Sequence, residues 1–196
     1  MSRIRRWLPR ALFEALLIVV SILVALAVDE WRDHRARSAR ADEARAIFAH
    51  EIESNRALLQ SPSYLPHHSR LQAEYQELTS AGSDQPGSLF ESGVHPAPLR
   101  DAAWRSFSAS STLADFAPDE ILVLSDLYRA QQDLERLNAN FLAQFMAPRA
   151  ERETPAYRRD EARSISMYLN DIMPHEQRLL QSYDAALARL KSAAAK

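Results

Sequence analysis

Residues 118–146, PDEILVLSDLYRAQQDLERLNANFLAQFM, repeat apolar side chains at alternating steps of three and four. That spacing marks one face of an α-helix, whereas a half-buried strand would alternate every second residue. Read in heptads, Leu124, Gln131, Asn138 and Phe145 take position a, and Leu127, Leu134 and Phe141 take position d. Pro118 suits the first helical position, and Asp119 and Glu120 complement the helix dipole in the first turn. Polar residues at a cost stability and can fix register and partner number. The plainer reading of Gln131 and Asn138, preferred here, places them at an edge of a bundle. The stretch predicts an all-α fold.

The same period recurs downstream in Ile165, Tyr168, Leu169, Ile172, Leu179, Leu180, Tyr183, Leu187 and Leu190. Pro174 lies within it and predicts a kink or the start of a second helix. Pro148 and Pro155 bracket a linker. Upstream, Phe116-Ala117-Pro118 separates the long helix from a shorter one that Asp101 can cap and that buries Trp104 and Phe107. Residues 81–100 hold all three glycines with Pro86, Pro96 and Pro98, and read as a loop with a short extended piece at 88–94. Leu71, Tyr75 and Leu78 mark a short helix, and SPSYLPHH (Ser61–His68) breaks the chain before it. Residues 61–196 are thus expected to complete an α-helical bundle of about four to five helices. Trp104, Phe107, Gln131 and Asn138 are its positions for core or partner contact.

The N-terminal region differs in kind. Ala11–Val28, ALFEALLIVVSILVALAV, is apolar except for Glu14 and Ser21, and it follows a basic head (residues 1–10) carrying Arg3, Arg5, Arg6 and Arg10. At about 1.5 Å per residue the run spans roughly 27 Å as a helix, close to the ~30 Å hydrocarbon core of a bilayer. It is read as a single transmembrane helix, with Trp7 and Trp31 as interfacial anchors. Glu14, Ser21 and Ala25 share one face, and Ser21-x-x-x-Ala25 is a small-residue pair that lets membrane helices pack closely. Glu14 lies near one boundary, where it can snorkel to water. Residues 29–60 continue as a stalk, polar all round as far as Arg45, and become the first bundle helix where Ile47, Phe48, Ile52, Leu58 and Leu59 supply an apolar stripe. Ala25-Leu26-Ala27 also fits a signal peptide cut after Ala27, which would release a secreted helical protein. The length of the run and the helical pattern beyond it favour the anchor. A short head before a long domain places the N-terminus in the cytoplasm and the C-terminal domain in the periplasm of a bacterial inner membrane.

Four of the 24 basic and one of the 26 acidic residues precede Asp29, which leaves the remainder with a net charge of −5. No basic stripe interleaves with aromatics, so nucleic acid is not an expected partner. The absence of cysteine rules out disulfides, thiolate catalysis and Cys-ligated metal. Three glycines are too few for hairpins and phosphate-cradling loops.

Chemistry-bearing motifs are sparse. His67 and His68 are adjacent in a proline-flanked loop, where exposure to solvent is expected. His50 and Glu53 stand three apart on a helix and could share a metal, yet no second Glu-x-x-His pair completes a di-metal bundle site. His175 follows Pro174 and is placed near a helix start. Ser106, Ser108, Ser110 and Ser111 have no identifiable base. No catalytic residue, metal site or cofactor is assigned.

The spacing Glu14-x-x-Leu17-Ile18-Val19-x-x-Ile22-Leu23-x-Ala25-Leu26-x-x-Asp29-x-Trp31 resembles the N-terminal signature of an uncharacterised family of bacterial single-span membrane proteins. Members carry E-x-x-L-I-V-x-x-I-L-x-A-L-x-x-N-x-W before a helical domain. Ala103-Trp104, Ser110, Leu113 and Leu124 to Tyr128 are similar to a tryptophan-containing stretch of that family. Asp29 departs from its asparagine. The resemblance implies a membrane-anchored helical protein and carries no assigned activity.

Together these readings predict a non-enzymatic scaffold, adaptor or sensor module. Its partners would be the lipid bilayer and either a second copy of the chain or another membrane protein. A membrane-tethered enzyme or metal-binding bundle is the alternative.

Overall fold

A computed structural model describes residues 4–81, 92–145 and 154–194, with side chains from Phe13 onward except at 155 and 194. Five helices and a 3₁₀ turn account for most of them: α1 (Ile4–Gln60), α2 (Leu65–Ser80), α3 (Ala102–Ser108), the turn (Ser111–Asp115), α4 (Pro118–Phe145) and α5 (Pro155–Ala194). No strand occurs among the described residues. The chain divides into two compact units, Met1–Glu43 and Ala44–Lys196.

The first unit is helical throughout its described residues. Among the described residues no helix is long and apolar enough to cross a membrane. The eighteen residues starting at Phe13 include three acids, Glu14, Asp29 and Glu30.

In the second unit the hydrogen bonds and ion pairs fix the packing. Arg45, Glu51 and Asn55 on α1 meet Glu120, Tyr128 and Gln131 on α4, at nearly equal separations of 75, 77 and 76 residues. Those two segments therefore run parallel. Against α5 the partner numbers fall as they rise on the facing helix: Glu53 with Lys191, Arg56 with Asp184, His68 with Glu176, and Gln72 with Asn170. From Ala44 onward α1 thus shares one antiparallel register along α5 with α2, and the two form a single column broken at Ser61–Tyr64. Gln131 with Tyr183 and Asn138 with Tyr168 set α4 antiparallel to α5. The result is a three-column bundle, with α3 bridging the first two columns.

Local chemistry explains the element ends. Pro66 sits in the first turn of α2, where its missing N–H is no loss. Thr154 Oγ1 accepts the Tyr157 amide at 3.2 Å and caps α5. Glu120 Oε2 accepts the Ala117 amide at 2.9 Å, the carboxylate half of a capping box. The core is heptad-built: Phe48, Ile52 and Leu59 face Leu124, Leu127 and Leu134, with Ile165, Leu169, Ile172, Leu179 and Leu190 from α5, all essentially solvent-free.

Several expectations are corrected here. Pro174 neither ends α5 nor starts a new helix; α5 continues from Pro155 to Ala194. The stripe buried on both sides of the proline, Ile172 before and Leu179 after, offsets a cost of about 3 kcal/mol. His175 is therefore mid-helix, its Nδ1 bonded to Asp171 O at 2.8 Å. His67 and His68 lie in α2 rather than in a loop, and His68 is fully buried. Asp101 flanks α3 but its side chain makes no cap bond; it pairs with Arg105 at 3.0 Å. Gly82, Gly87 and Pro86 lie outside the described residues, as do residues 88–91 of the expected extended piece.

Candidate functional site

Two features stand out, one in each unit. In the first, Phe13, Leu16, Leu17, Ile18, Val19, Val20, Ile22, Leu23, Val24, Leu26 and Val28 are all exposed. Five consecutive exposed apolar residues (16–20) cover more than one helical turn, so the apolar surface goes all the way round. Of the residues assigned to membrane helix packing, Glu14 and Ala25 are exposed, and Ser21 donates its hydroxyl to Leu17 O at 2.8 Å. Trp31 is exposed, with the Arg35 guanidinium 5.4 Å from its ring centroid. The Trp7 side chain lies outside the described residues.

In the second unit the bundle core contains a continuous polar network. Asn55, Tyr128, Gln131 and Tyr183 are each at most 1% exposed. Gln131 Oε1 accepts from Tyr183 Oη at 3.1 Å and Asn55 Nδ2 at 3.3 Å. Both amides also grip the segment before α3: Asn55 Nδ2 and Gln131 Nε2 donate to Arg100 O at 2.7 and 2.9 Å, and Arg100 N donates to Asn55 Oδ1 at 2.9 Å. Glu51, buried one turn away, accepts the Tyr128 hydroxyl at 2.8 Å and the Ala103 amide at 3.0 Å. A carboxylate from α1 thereby caps the N-terminus of α3, the role expected of Asp101. Burial, with the Glu51 carboxylate opposite, pushes the Tyr128 phenol well above its ordinary range.

Gln131 and Asn138 are therefore core residues, and the edge reading is overturned. Asn138 Oδ1 accepts from Tyr168 Oη at 2.7 Å. An amide at a heptad core position is tolerated because another column supplies a hydroxyl to satisfy it. Trp104 stacks on Tyr128 at 5.4 Å and Phe107 packs against Phe48 at 5.2 Å, both half-buried.

At one end of the bundle Arg45 grips Glu120 with two bonds of 2.8 and 3.0 Å. Burial alone would raise the Glu120 pKa, but the guanidinium and the Ala117 amide together hold it below the ordinary carboxylate range. Farther along, His68 and Glu176 pair in a fully buried site between α2 and α5. Glu51, Asn55, His68, Glu120 and Glu176 were not singled out from sequence as site residues. Register would have found three of them: Glu51 and Asn55 are in phase with Ala44 and Phe48, and Glu176 is in phase with Leu169, Ile172, Leu179 and Tyr183.

Clefts open on the surface of this unit among the described residues. One of about 300 Å³ lies between α4 and α5 beside Phe141, Met167 and Tyr168. Another, of about 350 Å³, is lined by His50, Glu51, Arg100 and Phe107. His50 and Glu53 are both exposed, and Glu53 approaches Lys191 Nζ at 3.9 Å. No group of three histidine or carboxylate side chains suited to a metal occurs among the described residues. No protein-family model, curated protein or solved structure matches the chain.

Proposed function

We propose that this chain is a single-span protein of the bacterial inner membrane whose helical bundle acts through contacts, as a scaffold, adaptor or sensor module. The observation that carries the reading is the all-round exposure of large apolar side chains from Phe13 to Val28. A one-sided apolar stripe would suit a groove on another protein, whereas a helix apolar on every face suits lipid. The basic head before it, Trp31 after it and the resemblance of residues 14–31 to a family of single-span proteins point the same way. The polar network supports a contact role: its groups satisfy one another and hold α3 in place, which suits a rigid presenting surface. The N-terminus is assigned to the cytoplasm and the bundle to the periplasm.

Fractionation of the full chain tests this. It should resist alkaline extraction from membranes, and a C-terminal periplasmic-reporter fusion should be active. Val20→Arg, near mid-run, adds about 2.5–3.5 kcal/mol to insertion and should shift much of the chain out of the membrane fraction. Recovery of the unmodified full chain as a dispersed monomer without detergent would overturn the reading.

A further inference from the structure

The cleft of about 300 Å³ between α4 and α5 falls at the small end of the ~300–1,000 Å³ usual for ligand sites. Its lining runs from Leu137 to Phe145 on α4 and from Glu161 to Ile172 on α5, and the Asn138–Tyr168 bond fixes the two helices antiparallel beside it. Glu161 therefore stands at the Phe145 end and Asp171 at the Leu137 end, about 15 Å apart along the α5 axis. Such a volume drawn out over such a length makes a narrow trough. Its floor is apolar. Phe141 stacks on Tyr168 at 3.9 Å and on Phe145 at 5.4 Å, and Met167, 61% exposed, lines the trough beside them. Because the rings meet face to face, they offer a ligand their edges and their apolar bulk.

The charge around that floor has one sign. Among the described residues no arginine, lysine or histidine lines the cleft, and neither the Glu161 nor the Asp171 carboxylate has an ion-pair or hydrogen-bond partner. Other exposed acids on the same two helices each hold an arginine: Asp119 with Arg189, Asp126 with Arg129, Asp133 with Arg136, and Asp184 with Arg56. His175, one turn beyond Asp171, bonds the backbone carbonyl of that residue and not its carboxylate. The Ser164 hydroxyl, also in the lining, gives its proton to Asp160 O at 2.8 Å, so what it has left is acceptor capacity.

We propose that this cleft binds an extended aliphatic polyamine, with one ammonium at each carboxylate and the methylene chain laid along Phe141, Tyr168 and Met167. Competing ligand classes fit less of the site. An anion meets two charges of its own sign. A metal ion leaves the aromatic floor unused and finds no group of three suitable side chains among the described residues. A wholly apolar molecule desolvates two carboxylates and gives them no partner. A chain with cationic ends answers both features: its N–H groups make charge-assisted hydrogen bonds, and its methylenes cover the rings. The site lies wholly in the second unit, so it stands whether or not residues 13–28 cross a membrane.

The test is calorimetric titration of the full chain, in non-ionic detergent and physiological salt, with spermine as the probe. Saturable one-to-one binding is expected, and butylamine, which carries a single ammonium, should bind at least about tenfold more weakly. Glu161→Gln and Asp171→Asn should each weaken spermine about tenfold, the worth of one charge-assisted hydrogen bond. Met167→Lys sets an ammonium in the cleft at an exposed position, where folding is little affected, and should abolish binding. Glu77→Gln removes an exposed carboxylate from α2 outside the cleft and should change nothing. Proton spectra should show cross-peaks from the spermine methylenes to the Phe141 and Tyr168 rings. No saturable heat with the wild type, spermine binding retained in Met167→Lys, or a loss in Glu77→Gln equal to that in Glu161→Gln would overturn the proposal.

Discussion

The two units invert each other's placement of polarity. From Phe13 to Val28 the large apolar side chains stand exposed on every face, while from Ala44 onward glutamate, asparagine, glutamine and histidine are buried at heptad core positions. The first arrangement is what the proposed membrane span would set against lipid. The second holds because each buried group meets a partner from another column, as Glu51 meets Tyr128 and Asn138 meets Tyr168. Hydrophobicity alone therefore does not say which residues are inside.

Substitutions can break this contrast. The largest effect is expected at Phe48, which is fully buried among Phe107, Phe116 and Tyr128. Phe48→Ala should cost about 3–5 kcal/mol in denaturant unfolding of the bundle. Glu51→Ala removes the acceptor of both Tyr128 Oη and the Ala103 amide. The expected loss is about 2–4 kcal/mol, with faster amide exchange across α3. If Gln131 were a passive filler, Gln131→Leu would be neutral; with Asn55, Tyr183 and Arg100 O left short of partners, about 1–3 kcal/mol should be lost instead.

Acid titration sharpens the same point. The Glu120 pKa is lowered in the folded chain, so its contribution is present above the unfolded value of about 4.3 and is lost as pH falls through the folded value. Glu120→Gln should flatten that acid limb of the stability profile. At the small end, Leu26→Ala removes an exposed apolar side chain from the other unit and should change bundle unfolding by less than about 0.5 kcal/mol.

The helices were largely legible because their signals are local. Pro118 with Asp119 and Glu120 marked the start of α4, and its heptads ran to Phe145 as read. The same heptads placed Gln131 and Asn138 at core positions, but a preference for polar residues at edges outweighed the register. Only the hydroxyls of Tyr183 and Tyr168, distant in sequence, reveal why they are tolerated. His68 was misread for a related reason: Pro66 suggested a loop, although proline is equally at home in the first turn of a helix. The cap that Glu51 supplies to α3 comes from 52 residues away, beyond any local pattern.

The parallel pairing of α1 with α4 also carries a kinetic consequence. Contacts between α4 and α5 close a modest loop, as with Asn138 and Tyr168, 30 residues apart, whereas Arg45 and Glu120 are separated by 75. Closing the longer loop costs more chain entropy before any contact rewards it. The α4–α5 hairpin is accordingly the natural nucleus, with the first column and α3 docking afterwards. Destabilising changes in the hairpin should then slow folding, and those at Arg45 or Asn55 should chiefly hasten unfolding.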